Sequence, residues 1–549
     1  MKEIYIGLAI FAAIIVLVVG LSLYNRYKLR NEVRYRWGRQ PHQPRLDKEE
    51  SLKHAWQTEK SFRHFESEVD DITWYDLDLF AIFDQINATY SSVGSEALYQ
   101  RLRNFDLGKA DQLETLIQFY QENPQLREEV QFQFARLGKQ DNNFTKEYLA
   151  QGVKKEIGHF AQFALLGALP LVGLLLLLFG QGVGLVLMIG AILFNVVYYL
   201  MKKNQLETEL NSMRYLVQTI AVAEKIVKLP LPNQKALKEN LKPLKGIASW
   251  GFSFRAKGFS ETEMFMEYIN MIFMLPFLAY NFVLKKIGNH TQEAINLWEL
   301  LGNQEVAIAI LNFRTFMPLT SQPAFKDGPV RATDIYHPLV AGAVVNPVDW
   351  QKNTLVTGSN ASGKSTYVKS IAISCILAQT INTALAKSFT LQPGHVITSM
   401  AVEDDIFEGD SYFIAETKSI KRLLDVVKGG QRCYCFVDEI LKGTNTVERI
   451  AASASVVNWI HEYPSLAFVA THDIELTEIL KNKCDNLHFG EEVTDENGVT
   501  FDYQVKKGPA TSRNAIALLK VLHYPAELVA NAQAEARYFD EHRSWQVLD

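Results

Sequence analysis

The chain has 549 residues, of which 48% are hydrophobic, so it is long enough for two or three domains with full cores. Its net charge is −5, and neither part is basic enough to indicate nucleic-acid binding by charge alone: residues 331–549 carry 20 Lys and Arg against 27 Asp and Glu, and residues 1–330 carry 36 against 34. The four cysteines all lie after residue 374 without a C-x-x-C spacing, which predicts reduced, structural thiols in a cytosolic domain.

The N-terminal segment is apolar and predicts a membrane anchor. Residues 4–23 contain no charged side chain, and a helix of these 20 residues would span about 30 Å, the thickness of a bilayer's hydrocarbon core. A cleaved signal peptide would need a shorter apolar run and a small-residue cleavage site. Basic side chains follow, opposed only by Glu32, and place this flank in the cytoplasm by the positive-inside rule: Arg26, Lys28, Arg30, Arg34, Arg36 and Arg39. We therefore predict an anchor over residues 1–24 and a basic juxtamembrane linker over residues 25–70.

A second apolar region predicts a hairpin of two further spans over residues 160–200. Residues 160–179 and 183–200 are separated by a short glycine turn, and lysines lie at both outer ends: Lys154, Lys155, Lys202 and Lys203. Such a hairpin enters the membrane from the cytoplasm and returns to it. A buried core hairpin is the alternative, but nearly forty apolar residues without a charge are hard to bury in a domain of this size.

Residues 268–284 are also apolar but contain Asn270, Pro276 and Asn281. A fourth span would place the C-terminal part of the chain outside the cell. We therefore interpret this stretch as a buried helix of the soluble part, and we predict three spans.

The soluble parts differ in their sequence patterns. Residues 71–150 and 204–320 predict amphipathic helices, with helix boundaries at Asp70-Asp71 and Asn123-Pro124. From about residue 331, helices alternate with short apolar strands, which indicates a mostly parallel sheet flanked by helices; examples are residues 354–357, 433–437 and 466–470.

The most specific motif is a glycine-rich turn between strand 354–357 and a helical stretch. It fits G-x-x-x-x-G-K-[ST], in which the glycines let successive backbone N–H groups point at phosphate oxygens: Gly358, Ser359, Asn360, Ala361, Ser362, Gly363, Lys364, Ser365 and Thr366. Lys364 would reach the β- and γ-phosphates, and the Ser365 hydroxyl would hold Mg²⁺. A chance glycine turn is the alternative, and the strand–loop–helix setting argues against it. The sequence therefore predicts a nucleoside triphosphate site.

Two later strands end in polar side chains. Strand 433–437 runs into Asp438, which would bind Mg²⁺ directly or through water, and Glu439, which could polarise the attacking water as general base. Strand 466–470 is followed by Thr471 and His472, whose imidazole could contact the γ-phosphate or orient the water. Ordinary charges at a strand exit and a structural histidine are the alternatives. The order of loop, acidic strand and histidine favours a catalytic role.

Together these residues resemble the MutS family of mismatch-repair ATPases, which are related to ABC-type ATPases. The family's loop, G-P-N-x-x-G-K-S-T, is close to residues 358–366. Its D-E-x-x-x-G-T-x-T, A-T-H-x-x-x-L and S-x-F-x-x-E segments match residues 438–446, 470–476 and 411–416. Residues 334–338 resemble its His-Pro element, the tail around Tyr503, Gly508, Ser512 and Pro525 is also similar, and residues 74–107 resemble the start of its helical core.

The resemblance implies a helical core or lever domain over residues 71–330, which carries the transmembrane hairpin, and an α/β P-loop ATPase domain of the ABC/MutS type over residues 331–549. With the anchor, three transmembrane helices are expected. The resemblance also implies an ATPase that uses ATP and Mg²⁺ and works as a homodimer. Ser411 would contact nucleotide held by the partner subunit, and residues 443–446 would line the same interface.

Parts of the family pattern are missing. A membrane anchor stands where the mismatch-reading domain would lie, and Phe265-Met266-Glu267 matches the Phe-x-Glu wedge of that domain only by coincidence. Too little chain follows the ATPase domain for a nuclease domain. These departures leave mismatch recognition resting on the family resemblance alone.

Two functions remain open from the sequence. The first is a multi-pass protein of the inner cell membrane whose cytoplasmic ATPase domain acts on mismatched, branched or damaged DNA. The second is a mechanochemical ATPase that moves its own membrane hairpin or a protein partner without DNA. An ABC transporter is disfavoured, because three spans are few for a translocation pathway and Lys428-Gly429-Gly430-Gln431 leads directly into strand 433–437, as a helix-to-strand turn would.

Overall fold

The computed structural model describes residues 2–41, 47–65, 67–105, 113–141, 143–151, 157–254, 261–359, 362–400, 412–494, 498–510, 516, 519–520 and 522–547. Of residues 2–15, 18, 261–265, 412, 492–494 and 498–499 it describes the backbone alone.

The described residues divide into two compact units, and each contains residues from separate parts of the chain. The helical unit comprises Met1–Phe65, Asp84–Gln100 and Asp111–Phe316, and the α/β unit comprises Glu66–Phe83, Arg101–Ala110 and Met317–Asp549. The division departs from a single boundary at residue 330, because two short N-terminal segments belong to the α/β unit. The functional labels given to the predicted domains stay predictions.

The helices before the first strand are α1 (Lys2–Arg36), α2 (Glu49–Phe62), α3 (Asp71–Asp76), α4 (Leu79–Ile86), α5 (Ser92–Arg103), α6 (Leu113–Glu122), α7 (Pro124–Leu137), α8 (Thr145–Gln151), α9 (Phe160–Leu178), α10 (Val183–Gln205), α11 (Glu207–Ile226), α12 (Gln234–Leu241), α13 (Glu261–Phe273), α14 (Leu275–Gly288) and α15 (Thr291–Phe316). Two predicted helix boundaries are confirmed. Asp70 caps α3 by accepting a bond from the Thr73 N–H at 2.8 Å, and Pro124 occupies the first turn of α7.

The predicted juxtamembrane linker begins as a helix, because α1 continues without a break to Arg36. Its basic side chains pack on α7 within the helical unit. Arg30 contacts Glu128 at 3.2 Å and Glu129 at 2.6 Å, and Arg34 contacts Glu128 at 2.8 Å. The pKa of Glu128 is lowered, chiefly by its hydrogen bond from Arg34. The basic run therefore makes specific ion pairs in addition to any effect on topology.

The predicted total of three membrane spans is not supported by the described residues. Two of their helices, α9 and α10, are long and apolar enough to cross a membrane, as expected for the hairpin. Residues 4–23 lie in α1, but the side chains of residues 4–15 and 18 are outside the described part of the chain. Residues 268–284 are not one helix. They fall on α13 and α14, which meet at an angle of 72° and would add a third candidate only if counted together.

The α/β unit contains β1 (Ala324–Phe325), β2 (Val330–Ile335), β3 (Asn346–Trp350), β4 (Asn353–Thr357), α16 (Lys364–Ile381), β5 (Ser388–Leu391), β6 (His395–Ser399), α17 (Tyr412–Lys428), β7 (Cys433–Asp438), α18 (Thr446–Ile460), β8 (Leu466–Ala470), α19 (Glu475–Ile479), β9 (Cys484–Thr494), β10 (Gly498–Lys507) and α20 (Ala526–His542). The three predicted strands are present as β4, β7 and β8. The turn after Lys428 is also confirmed, with Gly430 at φ +77° between α17 and β7.

The strands form two sheets. A four-stranded sheet has the order β1-β5-β2-β3, and a six-stranded sheet has the order β10-β9-β4-β8-β7-β6. In the larger sheet β9, β4, β8, β7 and β6 run parallel, and β10 pairs antiparallel with β9. Strands β4 and β8 are buried along their whole length, as expected for a parallel sheet covered on both faces.

A buried carboxyl group makes the helical unit sensitive to pH. Glu96 on α5 is buried, and one of its carboxylate oxygens accepts a bond from the Asn143 side-chain amide at 2.9 Å. Burial raises the pKa of Glu96 from 4.5 to about 7, although Lys146 and Asn143 oppose the shift. Folding therefore favours the protonated group, and stability contributed by that proton is lost as the pH rises from about 4.5 to 7.

We expect Glu96→Gln to flatten the pH dependence of unfolding, because glutamine resembles the protonated side chain. The parent should lose roughly 3 kcal/mol of stability between pH 4.5 and 7 from this group, since each pKa unit corresponds to about 1.36 kcal/mol. Thermal unfolding at pH 5 and pH 8 measures the difference. The exposed Glu122→Gln is the control and should behave as the parent. An equal change of melting temperature with pH in the parent and in Glu96→Gln would contradict this account.

Candidate functional site

Sheet topology brings the predicted site residues together. Strand β4 lies between β8 and β9, and β7 lies on the other side of β8. Because these strands are parallel, their carboxyl ends share one edge of the sheet, where α/β proteins place their ligands. The glycine-rich loop follows β4, Asp438 ends β7, and His472 follows β8.

Two glycines allow the loop after β4 to take its path. Gly358 has φ +138°, and a Cβ atom there would lie 2.7 Å from the Phe489 carbonyl oxygen. Gly363 has φ +101°, and a Cβ there would lie 3.2 Å from the Tyr503 ring. Neither position accepts a side chain without strain, so the glycines of the motif are required by the backbone itself. Asn360 and Ala361 lie outside the described residues.

Lys364 begins helix α16 and its side chain folds back over the loop. Its ammonium group donates to the carbonyl oxygens of Gly358 at 2.7 Å and Ser359 at 2.8 Å. Burial lowers the pKa of Lys364, and the charges of Asp438 and Glu439 oppose that shift. The ammonium thus lies at the loop and within the field of both predicted acidic residues, where a phosphate group would find a positive charge.

The two predicted magnesium ligands are in direct contact. The Ser365 hydroxyl donates to Asp438 Oδ2 at 2.6 Å. A hydroxyl and a carboxylate are hard oxygen ligands of the kind Mg²⁺ takes in nucleotide sites. Among the described residues, no group of three or more His, Cys, Asp and Glu could hold a metal by itself. A magnesium ion here would therefore take its remaining ligands from phosphate oxygens and water.

Glu439 is held in an unusual backbone conformation beside His472. Its φ is +61°, rare for a residue with a side chain, and its N–H donates to the Ala470 carbonyl at 2.9 Å. Its carboxylate lies 3.2 Å from His472 Nε2 and 3.2 Å from Lys442 Nζ. Burial, followed by the charge of Lys364, lowers the pKa of His472, so the imidazole is neutral at pH 7.

The loop that carries His472 is fixed by a residue that sequence reasoning missed. Arg449 on α18 makes a two-pronged contact with Asp473, from Nε to Oδ2 at 2.8 Å and from a terminal nitrogen to Oδ1 at 2.5 Å. This hydrogen bond raises the pKa of Arg449. The Thr471 N–H donates to the Val356 carbonyl of β4, which ties the same loop to the root of the glycine-rich turn. No sequence signal connects Arg449 with Asp473, because 23 residues separate them.

Glu416 is a second residue whose role the sequence did not reveal. It is buried, and its carboxylate accepts from the backbone N–H groups of Lys442 at 2.8 Å and Gly443 at 3.4 Å. It thereby holds the loop that follows Asp438 and Glu439. Its position at the end of the S-x-F-x-x-E segment is the one feature of the sequence that could have indicated a role for this residue. Ser411, at the start of that segment, lies outside the described residues.

The segment predicted to line a subunit interface leads into α18. Asn445 caps this helix by accepting a bond from the Glu448 N–H at 3.0 Å. Val447, in the first turn, is 78% exposed. The interface itself stays a prediction.

Comparisons with known proteins agree with this arrangement. The family model described as MutS domain V matches residues 354–540. The C-terminal part of the chain belongs to the MutS family. Residues 358–366, 438–439 and 472 all fall within the matched region, and the family's members are ATPases.

Similar curated proteins carry the name DNA mismatch repair protein MutS. That of Lactococcus lactis subsp. cremoris is 31% identical over 34% of this chain and 23% of its own length. That of Thermus thermophilus is 29% identical over 33% of this chain and 22% of its own length. The DNA mismatch repair protein MutS 2 of Haloarcula marismortui is 31% identical over 33% of this chain and 19% of its own length. The similarity therefore covers about a quarter or less of each of these relatives.

We expect Glu416→Gln to loosen the loop at Lys442 and Gly443, because an amide cannot accept both N–H bonds as a carboxylate does. Each lost bond to a charged acceptor is worth about 1.5–3 kcal/mol, so amide hydrogen exchange at these two residues should accelerate at least tenfold. Hydrogen-exchange mass spectrometry of a peptide spanning them measures this. Glu478→Gln, whose side chain is 78% exposed, should leave the exchange unchanged. Equal exchange in the parent and in Glu416→Gln would show that the carboxylate does not hold the loop.

Proposed function

We propose that this chain binds ATP with Mg²⁺ and hydrolyses it at the edge of the six-stranded sheet. The supporting observation is the contact of Ser365 with Asp438, flanked by Lys364 on one side and by Glu439 with His472 on the other. These groups come from three separate strands and one helix, so a chance cluster would not combine a phosphate cradle, two metal ligands and an acid–base pair.

Each residue has a distinct role in this proposal. Backbone N–H groups of the loop and the Lys364 ammonium bind the phosphate oxygens. Ser365 and Asp438 would hold Mg²⁺, which would neutralise charge that develops on the phosphates. Glu439 accepts a hydrogen bond from the attacking water and withdraws its proton. Neutral His472 carries one N–H, which it donates to the Glu439 carboxylate and so orients the base.

We expect Glu439→Gln to retain ATP binding and to lose hydrolysis by about a hundredfold or more, since glutamine cannot accept the proton of the water. Lys364→Ala should lose both, because it removes the cation at the phosphates. Nucleotide affinity by calorimetry and phosphate release by a coupled assay separate the two effects. Turnover by Glu439→Gln at the parent rate would remove it from the role of base, and unaltered binding by Lys364→Ala would exclude the site.

We also propose that the chain works as a homodimer through its ATPase region. The support is the family resemblance, which implies that Ser411 and residues 443–446 would lie at an interface with the partner's nucleotide. The exposed Val447 beside this segment is compatible with such a surface.

The names of the relatives support a role with DNA, on mismatched, branched or damaged structures. Those names belong to the relatives, and the region that matches this chain covers about a quarter or less of each relative's length. The matched region has no excess of basic side chains: residues 331–549 carry 20 Lys and Arg against 27 Asp and Glu. DNA contacts would therefore have to come from a local cluster or from the helical unit.

The hairpin α9–α10 supports a second candidate, a membrane ATPase that moves a protein partner. Its two helices pass close to each other, since a Cβ on Gly173 would lie 2.6 Å from the Met188 nitrogen. Large apolar side chains point away from the pair and are exposed, among them Leu165, Leu178, Val186, Leu193 and Phe194. Such a surface suits lipid. We propose that the hairpin spans the inner cell membrane, with the lysines of both outer ends and the ATPase region in the cytoplasm. The span over residues 4–23 stays a prediction.

Salt dependence distinguishes the two candidates. If the protein acts on DNA, ATP-loaded protein should bind a branched duplex, and log affinity should fall linearly with log salt with a slope proportional to the number of phosphates contacted. Fluorescence anisotropy between 50 and 300 mM salt measures the slope. The control is Lys364→Ala, because a protein that does not bind ATP should lose any ATP-dependent part of its affinity for the DNA. Absence of binding at 50 mM salt would exclude the DNA function and leave the membrane ATPase.

A further inference from the structure

The junction between α13 and α14 is a break in an otherwise apolar helical stretch. Met274, between the two helices, has φ +55°, and Pro276 occupies the first turn of α14. In a continuous helix the Ile272 carbonyl would accept the N–H of residue 276, but proline has no N–H. The break therefore leaves the Ile272 carbonyl without its usual donor.

Helix α9 contains the same defect. Pro170 lies inside it and cannot serve the carbonyl of Leu166, four residues earlier. One side chain donates to both carbonyls. Asn195 of α10 is fully buried, and its amide nitrogen donates to the Leu166 carbonyl at 2.7 Å and to the Ile272 carbonyl at 2.8 Å. An internal donor for freed carbonyls is what a lipid environment demands, because no water is there to supply one.

Contacts along α10 show how far the break between α13 and α14 lies from the lysine end of the hairpin. Glu267 of α13 pairs with Lys203 at 2.5 Å, at the lysine end of the hairpin. Ile272 meets Asn195, which is eight residues from Lys203 along α10. At 1.5 Å per residue, the chain descends about 12 Å along the hairpin between these two contacts.

The chain then returns toward the lysine end. Phe277 of α14 packs its ring on Tyr199 of α10, with centroids 5.4 Å apart, and on Phe163 near the start of α9, at 5.0 Å. Tyr280, three residues later, makes an edge contact with Tyr148 of α8, which lies outside the hairpin. Residues 266–280 thus run along the hairpin away from its lysine end, turn at Met274, and run back toward the lysine end.

The backbones of α9 and α13 approach each other closely at the turn between α13 and α14. A Cβ on Gly167 of α9 would lie 2.5 Å from the Phe273 carbonyl oxygen, so only glycine lets the end of α13 rest against α9. Several apolar side chains on the rest of the described surface of α13 are partly exposed. These side chains are Met266, Ile269, Met271, Ile272 and Phe273, and Tyr268 on the same helix is 57% exposed.

We propose that residues 266–280 form a re-entrant segment that dips into the cytoplasmic leaflet and returns, with lipid acyl chains covering the outer face of α13. The proposal rests on the proposed membrane hairpin. It replaces the expectation of a buried soluble helix over residues 268–284. A re-entrant segment adds no crossing, so the ATPase region remains on the cytoplasmic side.

Depth-dependent quenching tests the segment in the full chain. The native cysteines Cys375, Cys433, Cys435 and Cys484 are all buried, so a fluorophore can be attached selectively to Met271→Cys on α13, Leu193→Cys on the hairpin or Gln121→Cys on α6. Each labelled protein is placed in phosphatidylcholine vesicles that contain lipids spin-labelled at acyl carbon 5 or 12. We expect Leu193→Cys and Met271→Cys to be quenched at least twofold more than Gln121→Cys, with carbon 5 the stronger quencher at Met271→Cys.

The outcomes separate the two proposals. Quenching at Leu193→Cys without quenching at Met271→Cys would overturn the re-entrant segment and leave the hairpin in place. Quenching at neither position would overturn both.

Asn195→Leu tests the junction itself, because leucine is similar in size and donates no hydrogen bond. We expect it to reduce quenching at Met271→Cys by at least half while Leu193→Cys stays quenched, which would show that the hairpin still inserts. The exposed Asn289→Leu, at the end of α14, is the control and should change neither signal. Unchanged quenching at Met271→Cys in the Asn195→Leu background would show that Asn195 does not position the segment.

Discussion

The hydrogen bond between Ser365 and Asp438 joins the two halves of the candidate site, and it depends on the order of strands in the larger sheet. Strand β8 separates β4 from β7, so the first turn of α16 must reach across one strand to meet the end of β7. The surrounding contacts maintain that geometry. The Glu439 N–H binds the end of β8, and the Thr471 N–H binds β4, so the three strand ends are linked by backbone bonds.

The charged groups of the site are balanced around this edge. Lys364 and Lys442 face Asp438, Glu439 and the neutral imidazole of His472, which keeps buried charge paired. Outside this group, Arg449 and Glu416 fix the two loops by binding Asp473 and backbone N–H groups. Neither residue has a described hydrogen bond to Ser365 or Asp438, the proposed metal ligands. Each still fixes a loop of the candidate site, and a small displacement of a side chain that acts in catalysis costs much of its effect.

In the apolar hairpin the important constraint is the pairing of backbone carbonyl groups. Prolines in α9 and α14 remove N–H donors where water would not replace them, and Asn195 supplies the missing donors. Glycines at the contacts allow the backbones to approach closely enough for this arrangement. Composition predicted an apolar pair of helices at the hairpin, but it did not reveal the 72° bend that divides residues 268–284 between α13 and α14.

The sequence by itself determined the local chemistry: the glycine-rich loop, the strands that end in Asp438 and before His472, the apolar hairpin and the helix start at Asp70. These features follow from short-range rules of backbone geometry, side-chain period and composition, so they can be predicted from adjacent residues. Only the tertiary structure decided which distant groups meet, as Arg449 with Asp473, Glu416 with Gly443 and Asn195 with Ile272. Such contacts depend on strand order and helix packing, which the free energy of the whole chain sets and no local pattern encodes.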